Sequence, residues 1–397
     1  MSDAALGTIA LARPRAERPL LLCLSHLRWD FVLQRPQHLL TRATEGYEVL
    51  FFEEPVFAAG AQPRLERRRT PEGVTVCVPH LPEGLPEAAV LAAQRRMLDA
   101  LLAGQAGRRL ALWFYTPMAL TFAAHLAPDL TVYDCMDELS AFRGAPPALV
   151  ELERQLLARA DLVFTGGRSL YEAKRGRHPQ VHCFPSSIDA PHFHQAREAG
   201  RPEPADQAGI PHPRIGFFGV VDERMNLDLV GALAALRPDW QLVMIGPVVK
   251  IDPALLPRAA NIHWLGSKKY AELPAYLAGW DAGFMPFARN ESTRFISPTK
   301  TPEFLAAGLP VVSTPITDVV RDWGDANLVE IACDAGGFAQ ALEEVMAQPR
   351  EAWLRRVDRK LARLSWDRTW LAMSALIAEG LRPARGVERT ASAAPAL

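Results

Sequence analysis

The chain has almost no excess charge and few cysteines. Its 397 residues include 44 lysines and arginines against 45 acidic residues, a formal net charge of −1. It therefore lacks the strongly basic balance by which nucleic-acid-binding proteins are commonly identified. The five cysteines form no CxxC pair and have no histidine at metal-ligand spacing. They predict free thiols in a reducing compartment, and we expect a cytoplasmic protein.

Long uninterrupted apolar segments are also missing. The N-terminus has no continuous apolar core of the kind found in secretory signals. The apolar run 110–127 is long enough to suggest a membrane span, but Thr116–Pro117 interrupts it and it carries His125. Thr116 can act as an N-cap and Pro117 as the first helical residue. We interpret the run as a buried strand, LALWF, followed by a helix, and we expect a soluble chain.

Short apolar runs that alternate with amphipathic segments make up the rest of the sequence. Alternation of this kind predicts parallel sheets covered by helices on both faces. The length predicts two domains. A polar, proline-rich stretch without periodicity separates two such series and predicts a linker. Seven strands are expected before it, at 20–24, 48–52, 74–78, 110–114, 130–134, 161–165 and 181–184, and six after it, at 214–219, 241–246, 261–266, 282–287, 311–313 and 328–332.

The predicted architecture is α/β, with two Rossmann-like domains that face each other across a cleft. Ligands of such sheets bind beyond the carboxyl ends of the strands, so one cleft is expected to serve both domains. The division is an N-terminal domain at 18–190, a linker at 191–213, a C-terminal domain at 214–350, and terminal helices at 351–382 that pack back towards the first domain. Residues 1–17 and 383–397 have no pattern and are predicted to be disordered.

The segment SPTKTPEFLAAGLPVVSTP (297–315) carries the strongest chemical signal. Thr301–Pro302 predicts an N-cap and first helical residue, and Gly308 predicts the end of the helix. Lys300 and Glu303 then lie at the helix N-terminus, which favours anions. A lysine there suits a phosphate, and a carboxylate can accept hydrogen bonds from a ribose diol. The alternative is a surface ion pair in the first helical turn.

This segment resembles the donor-binding segment of GT-B-fold glycosyltransferases, especially the family-four-like group (glycosyl transferases group 1). The resemblance implies that Glu303 grips the ribose hydroxyls and that Lys300 contacts the donor phosphates. Many members carry a second glutamate eight residues before the first, where this chain has Phe295. The resemblance therefore does not supply a glutamate contact to the transferred sugar.

Other segments match the same family in the same order. FFGVVDERMNLDLVG (217–231) resembles the first turn of the donor domain, where Gly219 lets the backbone approach a phosphate and Arg224 supplies a cation. The family often has an arginine where this chain has Val220, and we infer that Arg294 replaces that charge. The expected donor-binding residues are Gly219, Arg224, Ser267, Lys268, Tyr270, Arg294, Ser297, Thr299, Lys300 and Glu303.

The N-terminal half is predicted to hold the acceptor. The loop SHLRWDFVLQR (25–35) follows the first strand, and YDCMD (133–137) ends a central strand on the cleft side. Asp137 can orient an acceptor hydroxyl or remove its proton, although it can equally cap the helix that follows, and Asp134 can be a buried hydrogen-bonding group. The expected acceptor-binding residues are His26, Arg28, Asp30, Arg35, Asp134 and Asp137.

We therefore predict a glycosyltransferase that moves a sugar from a nucleotide-diphosphate sugar to a hydroxyl acceptor on a glycan or a lipid-linked molecule. Asp137, Lys300 and Arg224 are the expected catalytic residues, and the resemblance favours retention of anomeric configuration. DCMD (134–137) does not have the spacing of a metal-binding DxD motif, so no metal and no cofactor are expected. The rivals are a nucleotide-sugar 2-epimerase on the same fold and a catalytically silent partner-binding scaffold.

The basic run RLERRR (64–69), with Arg95 and Arg96 later in the chain, has two interpretations. It can contact acidic lipid headgroups at the inner face of a membrane, or it can be a solvated loop. No nucleic-acid partner is expected, because the overall charge balance is neutral.

Overall fold

The protein is described from a computed structural model in which residues 18–105 and 107–382 are described. The predictions of disorder for 1–17 and 383–397 lie outside these ranges. No helix in the described part of the chain combines the length and the apolarity that crossing a bilayer requires.

The first half of the chain forms one nine-stranded sheet in the order β3-β5-β2-β1-β6-β7-β8-β9, with β4 paired to β5. The pairing is parallel except between β4 and β5. Its elements are β1 (Leu20–Leu24), α1 (Arg35–Ala43), β2 (Glu48–Phe52), β3 (Val56–Ala58), β4 (Arg64–Arg69), β5 (Thr75–Pro82), α2 (Glu87–Ala103), β6 (Leu110–Phe114), α3 (Leu120–Ala123), β7 (Leu130–Cys135), α4 (Ala148–Arg159), β8 (Leu162–Thr165), α5 (Arg168–Lys174) and β9 (Val181–Cys183).

The second half forms a six-stranded parallel sheet in the order β12-β11-β10-β13-β14-β15. Its elements are α6 (Ala190–His194), β10 (Arg214–Phe218), α7 (Leu227–Leu236), β11 (Gln241–Ile245), β12 (Ile262–Gly266), α8 (Leu273–Ala278), β13 (Ala282–Met285), α9 (Lys300–Ala306), β14 (Val311–Ser313), α10 (Thr317–Val319), β15 (Glu330–Ile331), α11 (Ala335–Ala347), α12 (Arg350–Leu361) and α13 (Trp366–Gly380). Short 3-10 turns lie at Pro117–Ala119, Leu139–Ala141, Gln195–Arg197, Pro253–Leu255, Tyr270–Glu272 and Glu291–Thr293, and a π-helical turn at Val320–Gly324.

Both faces of the central strands of each sheet are covered, which is why these strands are mostly apolar, whereas the edge strands β3 and β4 are exposed. Along β1, Leu21 and Cys23 enter one hydrophobic cluster, whereas Leu20, Leu22 and Leu24 enter another on the opposite face. Side chains of a strand alternate between faces, so a strand buried on both sides has no polar positions. The predicted α/β class and all of the predicted strands are confirmed, with boundary differences of a few residues, but β3 and β4 were not predicted.

Two helical segments differ from the prediction. The stretch 190–213 is not an irregular linker, because α6 and the turn Gln195–Arg197 lie within it and Phe193 is fully buried in the core of the second domain. The predicted terminal helices separate at Ser365, whose side chain caps α13. Only α13 crosses back, packing Met373 and Ile377 into the first domain, whereas α12 packs Val357 into the second.

The basic run RLERRR is the edge strand β4 and not a loop, although its residues other than Leu65 are solvent-exposed as that interpretation predicted. Its backbone pairs antiparallel with β5, and three of its arginines have carboxylate partners: Arg64 with Glu66, Arg68 with Asp30, and Arg69 with Glu48. Charged side chains on an edge strand are a common protection against pairing with another chain.

Candidate functional site

A cavity of about 860 Å³ lies between the two sheets. Its walls are the loops that follow β1, β7 and β8 in the first domain and those that follow β10, β11 and β12 in the second, together with the start of α9. These loops lie at the carboxyl ends of parallel strands, where ligands of open α/β sheets bind. The cavity is therefore the candidate site that the architecture predicts.

Gly219 and Lys300 are in direct contact on the second-domain side. Gly219 follows β10 with a φ of +132°, a backbone conformation that L side chains rarely adopt. A β-carbon at this position would overlap the Cε of Lys300. The Lys300 ammonium also lies 5.7 Å from the centre of the Phe217 ring. Because Gly219 has no side chain, the Lys300 side chain can pass along the backbone into the cavity.

The helix α9 begins two residues earlier than predicted. Its first residue is Lys300, and Thr301 is not the N-cap: Thr301 is fully buried, and its hydroxyl donates to the sulfur of Met285. The predicted end is confirmed, since Gly308 has a φ of +82° just past the helix. Its amide donates to the Leu305 carbonyl and the Leu309 amide to that of Phe304, the two bonds of a Schellman motif.

Lys300 and Glu303 both line the cavity but do not pair with each other. In the described part of the chain no ion pair within 4 Å joins them, and neither carries a side-chain hydrogen bond. Burial lowers the pKa of Lys300, and the nearby Arg224 lowers it further. Burial raises the pKa of Glu303; the charge of Lys300 opposes this shift, and that of Asp189 adds to it. Each group is thus held where its charge lacks a protein partner.

Arg224 supplies a second cation to the cavity. One edge of its guanidinium is held by the Asp222 carboxylate, with nitrogen–oxygen distances of 2.6 to 3.1 Å. The guanidinium carbon Cζ of Arg224 lies 5.4 Å from the centre of the Phe142 ring, which belongs to the first domain. Burial would lower the pKa of Arg224, but Asp222 and Asp137 outweigh this effect and raise it. Arg224 therefore stays charged.

The loop after β12 brings Ser267, Lys268 and Tyr270 to the cavity wall. The Lys268 ammonium is already bound, 2.6 Å from the Asp206 carboxylate. The Tyr270 ring stacks on His192 at 4.1 Å between centroids, and its buried hydroxyl has no hydrogen-bond partner among the described residues. Ser297 and Thr299 also line the cavity.

Arg294 is the one predicted donor residue that does not line the cavity. It follows the turn Glu291–Thr293, its side chain is 63% exposed, and it lies 3.6 Å from the Glu291 carboxylate. The turn directs the side chain outwards, so our inference that it replaces a missing phosphate cation is corrected. Its neighbour Phe295 packs against the hydrophobic cluster of the first domain.

Arg35 and Asp134 form a buried ion pair. Arg35 makes three contacts of 2.9 to 3.1 Å with the Asp134 carboxylate and donates to the Phe184 carbonyl at 2.8 Å. Asp134 is fully buried and does not line the cavity, so its predicted contact with an acceptor is corrected. Burial raises the pKa of Asp134, although Arg35 offsets part of the shift. Arg35 borders the cavity, with its charge directed at Asp134.

Two further predicted acceptor residues lie outside the cavity lining. Arg28 is tied to the Glu53 carboxylate and to the carbonyls of Glu54 and Pro55, so it joins two loops. Burial lowers the pKa of His26 to about 4, and its Nδ1 has no partner among the described residues. Asp30 does line the cavity, at the rim, where it pairs with Arg68.

Asp137 faces the two donor-side cations across the cavity. It follows β7 and lines the wall, and its carboxylate makes no hydrogen bond within the described chain. Burial raises its pKa, and the charges of Arg224 and Lys300 counteract this shift. An acid with a raised pKa in a cleft is suited to proton transfer.

The structure adds lining residues that sequence reasoning missed. Asp189 lies at the start of α6, accepts a hydrogen bond from the His192 amide at 3.3 Å, and acts on the pKa of Glu303. The sequence signal was Asp before Ala–Pro, a typical helix start. His38 also lines the cavity and stacks on Trp366 of α13 at 4.7 Å between centroids. No sequence signal pairs residues this far apart.

The chain is similar in sequence to known glycosyltransferases. Residues 212–348 match the family glycosyl transferases group 1. The chain is 26% identical over 287 residues to TuaH from Bacillus subtilis (strain 168), a protein assigned to teichuronic acid biosynthesis as a glycosyltransferase, covering 67% of this chain and 71% of TuaH.

Solved structures share the fold. Sucrose-phosphate synthase from Thermosynechococcus elongatus superposes with a TM-score of 0.68 at 17% identity, over 91% of this chain and 99% of that chain. Anabaena Alr3699/HepE, solved with UDP and glucose, gives a TM-score of 0.66 at 13% identity over 91% and 100%. WaaG, a glycosyltransferase of lipopolysaccharide biosynthesis, gives 0.60 at 15% over 90% and 99%. The chain has the GT-B fold and is a glycosyltransferase, and its residues 212–348 match the glycosyl transferases group 1 model.

Proposed function

We propose that the protein transfers a sugar from a UDP- or GDP-sugar to a hydroxyl acceptor, with the donor pyrophosphate bound by Lys300 and Arg224. The observation that carries this proposal is the contact between Lys300 and Gly219. It places the Lys300 ammonium, which has no ion-pair partner in the described chain, against the backbone at the carboxyl end of β10. Together the two cations match the charge of a pyrophosphate, and neither Lys300 nor the free edge of Arg224 has another anion to bind in the described chain.

Glu303 is proposed to bind the ribose of the donor. It lies three residues from Lys300 along α9, and its carboxylate has no hydrogen-bond donor in the described chain. A buried carboxylate without donors is costly, and two ribose hydroxyls would supply them. The nucleobase would then extend towards Ser267 and Tyr270. The unpartnered hydroxyl of Tyr270 is a further polar group available there.

The acceptor hydroxyl is proposed to approach from the first domain, next to Asp137. The bond from the anomeric carbon to the diphosphate breaks, and a bond to the acceptor oxygen forms. The acceptor proton passes to Asp137 or to the departing diphosphate. Negative charge develops on the diphosphate in the transition state, where Lys300 and Arg224 stabilise it most. Family resemblance supports retention of configuration.

We propose a glycan, glycolipid or related glycoconjugate as acceptor and no requirement for a metal. The names of TuaH and WaaG refer to the biosynthesis of teichuronic acid and of lipopolysaccharide, which supports this acceptor class. Two cations at the pyrophosphate supply the charge for which other sugar transferases use a divalent metal. Since nucleotide sugars are the co-substrate, we place the enzyme in the cytoplasm, with an acceptor at the inner face of the membrane.

A thermal-shift panel of UDP- and GDP-sugars in the presence of EDTA tests the donor proposal. At millimolar concentration the true donor should raise the melting temperature by a few degrees, because a ligand that binds only the native state stabilises it. The shift should disappear in Lys300→Ala and persist in Arg294→Ala, which removes a cation outside the cavity. No shift with any nucleotide sugar, or a shift that EDTA abolishes, would contradict the proposal.

A further inference from the structure

Lys174 is a buried lysine that the proposed reaction does not use. It ends α5 with only 1% of its surface exposed. Its ammonium lies 2.5 Å from the Glu153 carboxylate and 2.6 Å from that of Glu138. Burial would lower the pKa of Lys174, but the surrounding negative groups outweigh it and raise the pKa. A charged, buried lysine requires at least one such partner.

The two carboxylates differ in where they lie. Glu153 belongs to α4 and also accepts hydrogen bonds from the Tyr133 hydroxyl, at 3.1 Å, and from Arg177, at 2.7 Å. Glu138 belongs to the loop after β7, next to Asp137 in the chain, and its other oxygen accepts from the Ser140 hydroxyl at 2.8 Å. Glu153 alone would keep Lys174 paired. The contact with Glu138 therefore adds something beyond compensating the buried charge: it ties the loop to the core.

The residue before Asp137 is fixed as well. Gly166 packs so closely under the loop that a β-carbon there would lie 2.6 Å from the Met136 carbonyl oxygen. The Gly166 amide also donates to the Cys135 carbonyl at 3.0 Å. Asp137 thus lies between two anchored neighbours, while its own carboxylate is free to meet a ligand.

The far end of the same loop reaches the donor side. The Arg143 amide donates to the Glu223 carboxylate at 2.8 Å, and the Phe142 ring faces Arg224. The loop 136–143 is therefore fixed to the core of the first domain at Glu138 and to the second domain at its end. Movement of either anchor would change the separation of Asp137 from the donor-side cations.

We propose that Glu138, held by Lys174, is a positioning residue that fixes Asp137 opposite Lys300 and Arg224 for transfer to the acceptor. The inference rests on the proposed function, because it assigns Glu138 its effect through Asp137. Glu138 itself points away from the cavity into the ion-pair cluster and does not line the cavity wall.

The test compares Glu138→Ala with Arg177→Ala. Both variants remove one ion pair from the same cluster and leave Lys174 paired with Glu153, but only the first frees the loop. We expect Glu138→Ala to reduce kcat about 100-fold, the order of effect that a misplacement of about 1 Å can have, with an unchanged Kd for the nucleotide sugar. Glu138→Gln, which keeps an acceptor for Lys174, should recover part of the loss. Arg177→Ala should keep wild-type kcat.

Two further measurements separate positioning from stability. Hydrogen exchange of residues 136–143 should accelerate in Glu138→Ala and not in Arg177→Ala, a readout that requires no substrate. In the double variant with Asp137→Asn, loss of Glu138 should cause no additional loss of kcat, because both act through one group.

Unchanged exchange in the loop, or equal losses of kcat in Glu138→Ala and Arg177→Ala, would overturn the inference. An inactive Asp137→Asn together with a fully active Glu138→Ala would overturn the positioning role and leave the proposed function intact. A fully active Asp137→Asn would instead overturn the role of Asp137 in the proposed function.

Discussion

Two cation–carboxylate sets, one in each domain, differ in how the structure uses their charges. In the first domain, Arg35 and Asp134 are buried and bonded to each other through three contacts. In the second, Lys300 and Glu303 are close enough to affect each other's pKa, yet do not pair. Arg35 and Asp134 neutralise each other's charge and support the fold. The second set keeps both charges available, at a cost to stability that a bound ligand would relieve.

The largest expected effect comes from breaking the ion pair between Arg35 and Asp134. Arg35→Met should lower the free energy of unfolding by about 3–5 kcal/mol, because it leaves the buried Asp134 carboxylate without its cation. Urea unfolding followed by circular dichroism measures the loss. Arg294→Ala, an exposed arginine, is the control and should unfold like the wild type. Wild-type stability in Arg35→Met would show that the two sets do not differ in this way.

Lys300→Ala should have the converse effect. We expect kcat/KM to fall by about 10²–10³-fold, since a cation aimed at developing charge is removed. The melting temperature of the ligand-free protein should stay unchanged or rise, because a partly desolvated charge without a partner disappears. Steady-state kinetics and thermal unfolding measure the two quantities. Lys268→Ala is the control, since its ammonium is already bound by Asp206; an equal kinetic loss there would argue against a specific role for Lys300.

Glu303→Gln should have a smaller and pH-dependent effect. Because burial raises the pKa of Glu303, the wild-type carboxylate gains a proton, and loses acceptor capacity for the ribose, as the pH falls from about 8 to about 6. Wild-type affinity for the nucleotide sugar should therefore weaken over this range. Glu303→Gln should bind about 10-fold more weakly at the upper pH and show a flat profile.

Calorimetry with an intact nucleotide sugar checks this prediction, because its diphosphate does not itself titrate in that range. Lys300→Ala serves as a comparison. It should weaken binding but keep a pH dependence, shifted to higher pH, because the charge of Lys300 opposes the raised pKa of Glu303. A wild-type affinity that is independent of pH, or a pH-dependent Glu303→Gln, would place the ribose elsewhere.

The fold was largely predictable because its signals are local. Apolar runs of strand length separated by amphipathic helices appear directly in the sequence, and the end of α9 at Gly308 follows from its backbone freedom. The short helix within the stretch 190–213 could not be predicted, because the many prolines and polar residues there are typical of a linker. Its burial depends on Phe193 reaching a core formed by distant residues.

The donor side was more predictable than the acceptor side for the same reason. The donor-side residues belong to short continuous sequence motifs. All three of Lys300, Glu303 and Arg224 line the cavity. The acceptor side draws on the loops after β1, β7 and β8, and the partners of its charged residues lie far away in the chain. Arg28 and Asp134 proved to be engaged by Glu53 and Arg35.

The sequence by itself determined the α/β class, the two strand series, and the helix that presents Lys300 and Glu303, since each depends on neighbouring residues. Only the tertiary structure decided which charges pair and which remain free. It made Arg35 and Asp134 partners across 99 positions and anchored the loop of Asp137 on Lys174. The physical reason is that ion pairing and desolvation depend on distances in space, and the order of residues along the chain does not specify those distances.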